Sequence, residues 1–422
     1  MKVLWLTCTA AGASKIVNHV APGRGWIASL SDLMKADDNI ELAVAFFDNF
    51  KTDFKFEFEG IMYYPMKDKL SSRVNQLKLR LLGELWDTNL PGIQKVIEDF
   101  KPDIIQIFGT ESGMGDIVGN TKVPIIIHLQ GLINPYVLQW LPKNISLTSI
   151  LFNSKIRELI VRRDLVSEFS QFKKIGRREE KLIKNTQYFF GRTAWDERFV
   201  RLINPGVNYF HCDEVLRPLF YEHAGKWQEN TGDILRIVTI VNAEMYKGLD
   251  MVLETADILK NKTSLKFEWI IVGVSKENRI LKMMEINKNI RFKNTSVVFK
   301  GVKQGQELIS ELLSSNLFIH PSHIDNSPNS VCEAMLLGMP IIAGYVGGIP
   351  SIIKDQFNGL LYNSYDPFDL AGLIVQCATN KTQMEKMGKN ANITALERHD
   401  ATKIVNKIKE SYKFILSQTD NK

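Results

Sequence analysis

Two acidic residues, Asp325 and Glu333, are the strongest candidates for chemistry in this sequence. They lie eight positions apart in a polar stretch that follows the short apolar run Leu317–His320. An ionised carboxylate has two acceptor oxygens, so it can accept hydrogen bonds from two neighbouring hydroxyl groups, such as those of a sugar. Either acid taken alone could instead cap or shield the end of a helix.

The stretch around these acids predicts a strand, a polar loop and a helix. Ser327 is a natural N-cap residue, Pro328 suits the first helical position, and Gly338 and Pro340 end the helix. The backbone N–H groups of a first helical turn, together with the helix dipole, attract anions. The sequence therefore predicts an anion site suited to a diphosphate where the loop enters the helix.

The rest of the chain alternates short apolar runs with amphipathic stretches, which is typical of parallel sheets built from strand–helix–strand units. The predicted strands are 2–7, 40–46, 104–108, 124–129, 187–191, 235–240, 267–272, 296–299, 317–320, 340–343 and 359–361. The predicted helices include 25–35, 90–100, 249–260, 306–314, 328–337, 349–354 and 401–416. Ligands of such sheets bind beyond the carboxyl ends of the strands.

A chain of 422 residues is too long for one ordinary core, so two domains are expected. We predict an α/β fold with two doubly wound Rossmann-like domains, over residues 1–213 and 214–395, followed by a C-terminal helical segment, 396–422. The proline-containing stretch 202–233 is predicted to connect the two domains.

The composition, 45% apolar and 24% charged, is that of a globular protein. Its four cysteines are widely spaced and predict neither a zinc site nor a disulfide framework, which fits a reducing cytoplasm. The apolar start, Val3–Leu6, is shorter than a secretion signal needs. No run of about 18 apolar residues predicts a membrane span.

Residues 155–184 contain ten basic and five acidic residues, and their net charge of +5 is close to the +6 of the whole chain. Apolar residues recur here at helical spacing and predict basic amphipathic helices. One interpretation is a solvated helix face. The other is a surface that contacts anionic lipid or a phosphate-bearing acceptor.

The second half of the sequence resembles glycosyltransferase family 4, whose members have the GT-B fold. The resemblance rests on the Asp325/Glu333 spacing, on Gly347-Gly348-Ile-Pro350 and on Asn358-Gly359-Leu360. The family has glutamate at both acidic positions, so Asp325 is a shortened first acid that keeps the charge. The resemblance implies that Asp325 contacts the transferred sugar and that Glu333 binds the ribose hydroxyls. It also implies a diphosphate site at Asn326, Ser327, Asn329 and Ser330.

The segment Ile240–Asp250 resembles the strand-to-helix loop in which the family places a lysine that neutralises the donor diphosphate. Lys247 matches that lysine. The family arginine that usually precedes it by five residues is replaced here by Asn242, so one cation of the pair is missing. The alternative for Lys247 is an ordinary surface lysine at a helix start.

The first half resembles the same family less closely. The glycine-containing loop 19–26 resembles a loop near the transferred sugar, with Gly25 as a candidate donor-binding residue, although a plain turn is the alternative. Where many members carry histidines at two strand ends, this chain has Phe108 and Gln130. His128 is a candidate catalytic residue, or else a satisfied core residue.

The segment 190–205 resembles bacterial family members that build surface polysaccharides. Arg192 is a candidate phosphate or acceptor contact, as are Gln130 and Glu111. Thr193 and Asp196 could be only a helix-capping pair.

The resemblance implies two Rossmann-like domains facing across a cleft, with the acceptor on the first, the donor on the second and the last helix crossing back. It implies retaining transfer from a UDP- or GDP-sugar to a glycan or lipid-linked acceptor, with no cofactor and no metal. Lys247, Asp325 and His128 are then the catalytic candidates. No nucleic-acid partner is expected, and the protein is expected in the cytoplasm or peripherally on the inner face of the membrane.

Two other functions remain open. A nucleotide-sugar epimerase of the same architecture would act on the donor with no acceptor. A non-catalytic sugar-nucleotide binding protein would fit the changes at Asn242, Phe108 and Gln130. A dehydrogenase is not expected, because no Gly-x-Gly-x-x-Gly opens a helix after the first strand.

Overall fold

The computed structural model of the chain describes residues 1–17, 25–48, 53–67, 89–143, 145–153 and 164–419. The chain folds into two compact units. The first comprises Met1–Val137, Ser154–Arg217 and His399–Lys422, and the second comprises Leu138–Asn153 and Pro218–Arg398. The chain passes from the first unit to the second mainly after Arg217, whereas the predicted boundary followed residue 213. The short segment Leu138–Asn153, which also belongs to the second unit, was not predicted.

The first unit contains an eight-stranded sheet. Its strands are β1 (Lys2–Thr7), β2 (Glu41–Asp48), β3 (Phe56–Phe58), β4 (Ile61–Lys67), β5 (Ile104–Phe108), β6 (Ile125–His128), β7 (Tyr188–Gly191) and β8 (Asn208–His211). They are ordered β3-β4-β2-β1-β5-β6-β7-β8, and every neighbouring pair is parallel except β3 with β4.

The second unit contains a six-stranded, fully parallel sheet. Its strands are β9 (Leu235–Ile240), β10 (Phe267–Val272), β11 (Val297–Gly301), β12 (Leu317–His320), β13 (Ile341–Gly344) and β14 (Leu360–Tyr362), ordered β11-β10-β9-β12-β13-β14. All four residues of β12 and of β13 are buried. Continuous apolar strands of this kind are expected where helices cover both faces of a parallel sheet.

Helices connect the strands in both units. Those of the first unit are Trp26–Met34, Leu90–Phe100, Ile133–Leu138, Leu165–Lys184, Ala194–Ile203 and Ala401–Thr419. Those of the second unit are Leu147–Asn153, Pro218–Glu222, Leu249–Lys262, Arg279–Lys288, Gly305–Leu313, Asn329–Leu337, Pro367–Thr379 and Lys381–Arg398. None of the helices in the described part of the chain is long and apolar enough to cross a membrane.

The last helix, Ala401–Thr419, packs within the first unit through one face. Ile404, Ile408, Tyr412 and Ile415 recur at helical spacing and are buried. The Tyr412 hydroxyl accepts a hydrogen bond from the indole of Trp5 at 3.2 Å and donates one to the side chain of Gln106. These contacts hold the end of the chain against the centre of the first sheet.

The structure confirms the predicted α/β elements, with several exact bounds, but corrects two regions. The helix predicted over 349–354 is only a short 3-10 turn, Ile349–Ser351. The stretch 202–233 is not a plain connection, because it contains β8 and the helix Pro218–Glu222. Strand β8 is partly exposed at the edge of its sheet, so it lacks the continuous apolar pattern of a central strand.

Candidate active site

The second sheet changes its direction of winding between β9 and β12. Strand β9 comes first in sequence, β10 and β11 follow on one side of it, and β12 begins the other side. At such a switch point the loops after the two central strands turn away from each other and leave a crevice at the carboxyl edge. Lys247 follows β9 and Asp325 follows β12, so the topology brings both residues to this crevice.

A glycine contact fixes the loop after β9 against the loop after β12. Gly248 has φ +74°, and a Cβ atom there would lie 1.9 Å from the carbonyl oxygen of Pro321. The backbone N–H of His323 also donates to the carbonyl of Tyr246 at 2.8 Å. A side chain at position 248 would separate the loops, so this glycine places Lys247 beside the second loop.

Lys247 and Asp325 form a largely buried ion pair. The Nζ atom lies 2.7 Å from Oδ2 of Asp325, and the two side chains are 18% and 9% exposed. The buried ring of His320 places its Nε2 atom 3.2 Å from the same carboxylate oxygen. Burial alone would raise the pKa of Asp325, but the charge of Lys247 and the contact with His320 outweigh it and hold that pKa well below its usual range.

The Gly347-Gly348 pair holds the backbone of Asp325. Gly347 has φ +49°, and a Cβ atom there would lie 2.0 Å from the Asp325 carbonyl oxygen. The backbone N–H of Gly348 donates to that carbonyl at 2.9 Å. These glycines follow β13, so the acid is positioned by the loop of a third strand.

The helix Asn329–Leu337 begins next to Asp325. Pro328 is its N-cap residue and Asn329 its first helical residue, so the start lies one residue later than predicted from Ser327 and Pro328. Among the described residues, this end has no side-chain cap at Pro328. Its first N–H groups have no carbonyl of an earlier turn to bond to, so they favour an anion there.

The side chains around this helix start are mostly buried polar groups. Asn326 and Ser327 are 0% and 5% exposed in the loop, and Glu333 is 3% exposed in the second turn of the helix. Asn329 and Ser330 lie in the first turn. Asn242 is exposed in the loop after β9, five residues before Lys247.

A second buried acid–histidine pair supports the same loops and was not predicted. His323 Nε2 lies 2.8 Å from Oδ1 of Asp250, and both residues are almost fully buried. The His323 ring stacks on Tyr365 with the ring centres 4.0 Å apart, and the Tyr365 hydroxyl donates to Gln139 at 2.7 Å. The sequence did offer a signal, since His323 lies two residues before Asp325 and Asp250 three after Lys247.

His128 lies in the core of the first unit, as its interpretation as a core residue expects. Its ring is 0% exposed and is surrounded by Trp26, Phe108 and Phe190, with ring centres 4.9, 5.6 and 5.3 Å away. Gln106 Nε2 lies 3.3 Å from its Nδ1 atom. Burial first, and then the charge of Arg192, lower the pKa of His128 to about 3, so the ring is neutral. No atom of the buried ring reaches the surface.

Arg192 is also occupied inside the first unit. It is 3% exposed, it donates to the carbonyl of Gln130 at 2.7 Å, and it lies 3.6 Å from the buried carboxylate of Glu214. This environment does not support its predicted contact with phosphate. The capping box between Thr193 and Asp196 is confirmed.

The other predicted residues of the first half lie at loop positions of the first unit. Gly25 is exposed and begins the helix Trp26–Met34, while the preceding residues 18–24 lie outside the described residues. Glu111 follows β5, and burial raises its pKa. The structure thus brings Lys247, Asp325, Glu333 and their polar neighbours together, and places Gly25, Glu111, His128, Gln130 and Arg192 in the other unit.

Comparisons with known proteins give a family match that lies within the second unit. Residues 223–394 match the family model described as glycosyl transferases group 1, which covers less than half of the chain. The sulfoquinovosyl transferase SQD2 of Arabidopsis thaliana is 25% identical over 340 residues, which are 76% of this chain and 58% of that protein. The amylovoran biosynthesis glycosyltransferase AmsK of Erwinia amylovora is 25% identical over 156 residues, 36% of this chain and 37% of that protein. The match spans less than two thirds of either relative.

Two solved structures are similar over nearly the whole chain. Sucrose-phosphate synthase from Thermosynechococcus elongatus aligns with a TM-score of 0.70 and 12% identity, covering 99% of this chain and 100% of that one. HepE from Anabaena, solved in complex with UDP, aligns with a TM-score of 0.63 and 15% identity, covering 98% and 100%. The chain therefore has the GT-B fold, and its residues 223–394 match the glycosyl transferases group 1 family model.

Proposed function

We propose that this chain is a retaining glycosyltransferase that moves a sugar from a nucleoside-diphosphate donor to a glycan or lipid-linked acceptor. The observation that carries the proposal is the buried Lys247–Asp325 pair beside the uncapped start of the helix Asn329–Leu337. A cation, a helix N-terminus and buried polar side chains meet there at the switch point of a parallel sheet. This combination suits a diphosphate with polyhydroxylated groups at both ends.

We assign the donor's parts as follows. Lys247 and the N–H groups of Asn329 and Ser330 bind the diphosphate, because both supply positive charge. Glu333, one turn further into the helix, binds the ribose hydroxyls. Asp325 binds the transferred sugar, and its low pKa keeps it ionised and able to accept hydrogen bonds from the sugar hydroxyls.

The proposed reaction needs positioning and charge stabilisation rather than a protein nucleophile. The bond between the anomeric carbon and the diphosphate oxygen breaks, and negative charge grows on the leaving group. Lys247 and the helix N-terminus stabilise that charge without reorganising. The acceptor hydroxyl attacks the face that the diphosphate leaves and gives its proton to a donor phosphate oxygen. We propose that this site needs no metal ion and no cofactor for that step.

The acceptor class and cellular role are proposed from the relatives. AmsK is named for amylovoran biosynthesis, and another relative, 27% identical over 163 residues, is the poly(ribitol-phosphate) alpha-N-acetylglucosaminyltransferase of Staphylococcus aureus. We therefore propose a role in bacterial surface polysaccharide synthesis, in the cytoplasm, where nucleotide sugars are available.

Nucleotide binding is the first test. Thermal unfolding is followed with UDP, GDP and their sugar derivatives, starting with UDP-glucose, because HepE structures contain UDP and UDP-glucose. A ligand at about 100 times its Kd stabilises the native state by about 2.7 kcal/mol, a shift of several degrees. We expect one nucleotide to give this shift, Glu333→Ala to lose it, and the exposed matched variant Glu397→Ala to keep it.

The other outcomes are also informative. If no nucleotide shifts the unfolding temperature, the donor-site assignment is wrong. If a donor binds but is neither transferred nor hydrolysed, the chain is a binding protein rather than an enzyme. Once an acceptor is found, proton NMR of the product reads the anomeric configuration, and an inverted product would contradict retention.

A further inference from the structure

A second basic segment lies in the second unit. Residues 276–303 contain eight basic residues and two acidic ones, so their net charge of +6 equals that of the whole chain. They run from the loop after β10 through the helix Arg279–Lys288 to the edge strand β11. All of them are described by the structure, unlike residues 155–163 of the other basic segment.

Most of these cations are exposed, and they define what we term the β11-edge basic face. Its members are Lys276, Arg279, Lys282, Arg291, Lys293 and Lys300. The two acids offset only part of this charge. Glu285 accepts a hydrogen bond from the backbone of Phe292 at 2.8 Å and pairs with Arg291 at 3.3 Å, and Glu277 lies 4.0 Å from Lys276.

An isoleucine lies in the middle of this face. Arg279, Lys282 and Ile286 fall on one side of their helix, because residues spaced by three and four lie above one another. The opposite side is the buried one, formed by Ile280, Leu281, Met283 and Met284. Ile286 is nevertheless 50% exposed, so it contributes little to the core.

A neighbouring helix exposes a second apolar side chain. The helix Leu147–Asn153 contacts the helix Arg279–Lys288, and the Ser149 hydroxyl donates to Asn287 at 2.6 Å. Two residues later, Leu151 is 42% exposed. Lysine on an exposed sheet edge protects against edge pairing, which accounts for Lys300. It does not account for the exposure of Ile286 among the cations, or of Leu151 on the contacting helix.

We propose that the β11-edge basic face, with Ile286 and Leu151, contacts the surface of an anionic membrane. Clustered cations attract anionic lipid headgroups, and apolar side chains among them enter the boundary between headgroups and acyl chains. A soluble polyanion would use the cations but would give the apolar side chains nothing to bury against. The inference uses none of the donor-site residues, so it goes beyond the proposed function and can fail independently of it.

Vesicle co-sedimentation tests the inference. The full chain is mixed with vesicles of phosphatidylcholine alone, or of phosphatidylcholine with phosphatidylglycerol. We expect binding only to the anionic vesicles, falling as salt is raised. Each cation near such a surface changes affinity about fivefold, so the triple variant Arg279→Gln/Lys282→Gln/Lys293→Gln should bind about 100-fold more weakly. Ile286→Ser should lower affinity several-fold at every salt concentration.

The matched control neutralises three exposed lysines elsewhere in the same unit, Lys354, Lys386 and Lys389. We expect it to bind vesicles like the wild type. Every variant should keep the thermal shift with the nucleotide that stabilises the wild type, or its unfolding temperature if no nucleotide does. This readout excludes misfolding.

Three results would overturn the inference. The first is a triple variant that binds anionic vesicles as tightly as the wild type, or a control variant that loses as much affinity as the triple variant. The second is loss of binding only on neutralising Lys173 and Lys174, which would place the contact on residues 155–184. The third is binding of polyphosphate as tight as that of vesicles, with no effect of Ile286→Ser, which would identify a site for soluble polyanions.

Discussion

Replacing Lys247 by methionine removes the charge but keeps most of the side-chain length, and it isolates the central ion pair of the site. At the observed 2.7 Å, two unit charges attract by about 6 kcal/mol at an effective dielectric constant of ~20. Desolvation of the two ions offsets several kcal/mol of this attraction. We therefore expect Lys247→Met to destabilise the second unit by about 2–4 kcal/mol, because it removes the cation that pairs with the buried Asp325 carboxylate, while the contacts with His320 and with the backbone N–H of Asn326 stay.

A double-mutant cycle separates the pair from its surroundings. Asp325→Asn should cost less than Lys247→Met, about 1–2 kcal/mol, because Lys247 is twice as exposed and can be hydrated. The double variant should be more stable than the sum of the two losses predicts, by a coupling of about 1–3 kcal/mol. Two units need not unfold together, so hydrogen exchange in β9 and β12 is the measurement of choice.

The same variants test the proposed role in binding. A hydrogen bond to a charged group contributes about 1.5–3 kcal/mol, so Lys247→Met should weaken binding of the nucleoside diphosphate about 10- to 150-fold. Affinity for the corresponding nucleoside, which has no phosphate, should not change. A coupling close to zero would refute the structural argument. Unchanged affinity of Lys247→Met for the diphosphate would refute the assignment of this lysine to the donor.

Three further predictions concern pH and backbone geometry. Because the pKa of Asp325 is lowered in the folded state, the stability advantage of wild type over Asp325→Asn is full above about pH 4 and shrinks in unfolding measurements at lower pH. The pKa of His128 is lowered to about 3, so the free energy of unfolding of the wild type falls by up to about 1.4 kcal/mol per pH unit as the pH is lowered from 6.5 to 3. His128→Gln should flatten that slope. Gly248→Ala should destabilise the second unit by about 3 kcal/mol or more in urea unfolding, whereas Gly372→Ala, in open space on a helix, should stabilise it by about 0.5–1 kcal/mol.

The elements of the second unit were predictable because their signals are local. Strands β9, β10 and β12 are short apolar runs between turn residues, and their observed bounds equal the predicted ones. Strands β3 and β8 were missed because they are the edge strands of their sheet, only partly buried and of mixed residues. Strand β4 is mostly buried but contains Pro65, a residue that argues against a central strand. The membership of Leu138–Asn153 in the second unit was missed for another reason. Which unit a helix joins depends on long-range packing, which a local pattern does not show.

The candidate site was predictable in its residues but not in its connections. Spacing and resemblance identified Asp325, Glu333 and Lys247 as candidates. They did not predict that Asp325 and Lys247 bond to each other, or that His320 contacts the same oxygen. Those contacts depend on the approach of two loops from strands that are about eighty residues apart in sequence, and no local pattern encodes that distance.

The glycines explain why this approach is so close. Gly248 packs against Pro321, and Gly347 packs against the carbonyl of Asp325, so the loops after β9, β12 and β13 meet with backbone in contact with backbone. The side chain of aspartate is one methylene shorter than that of the glutamate at this position in the family that the sequence resembles. The position of the Asp325 backbone therefore decides where its carboxylate lies. Two glycines with left-handed φ angles hold it where a side chain would collide. The sequence features that looked like separate motifs therefore act together, since each glycine serves the position of one carboxylate.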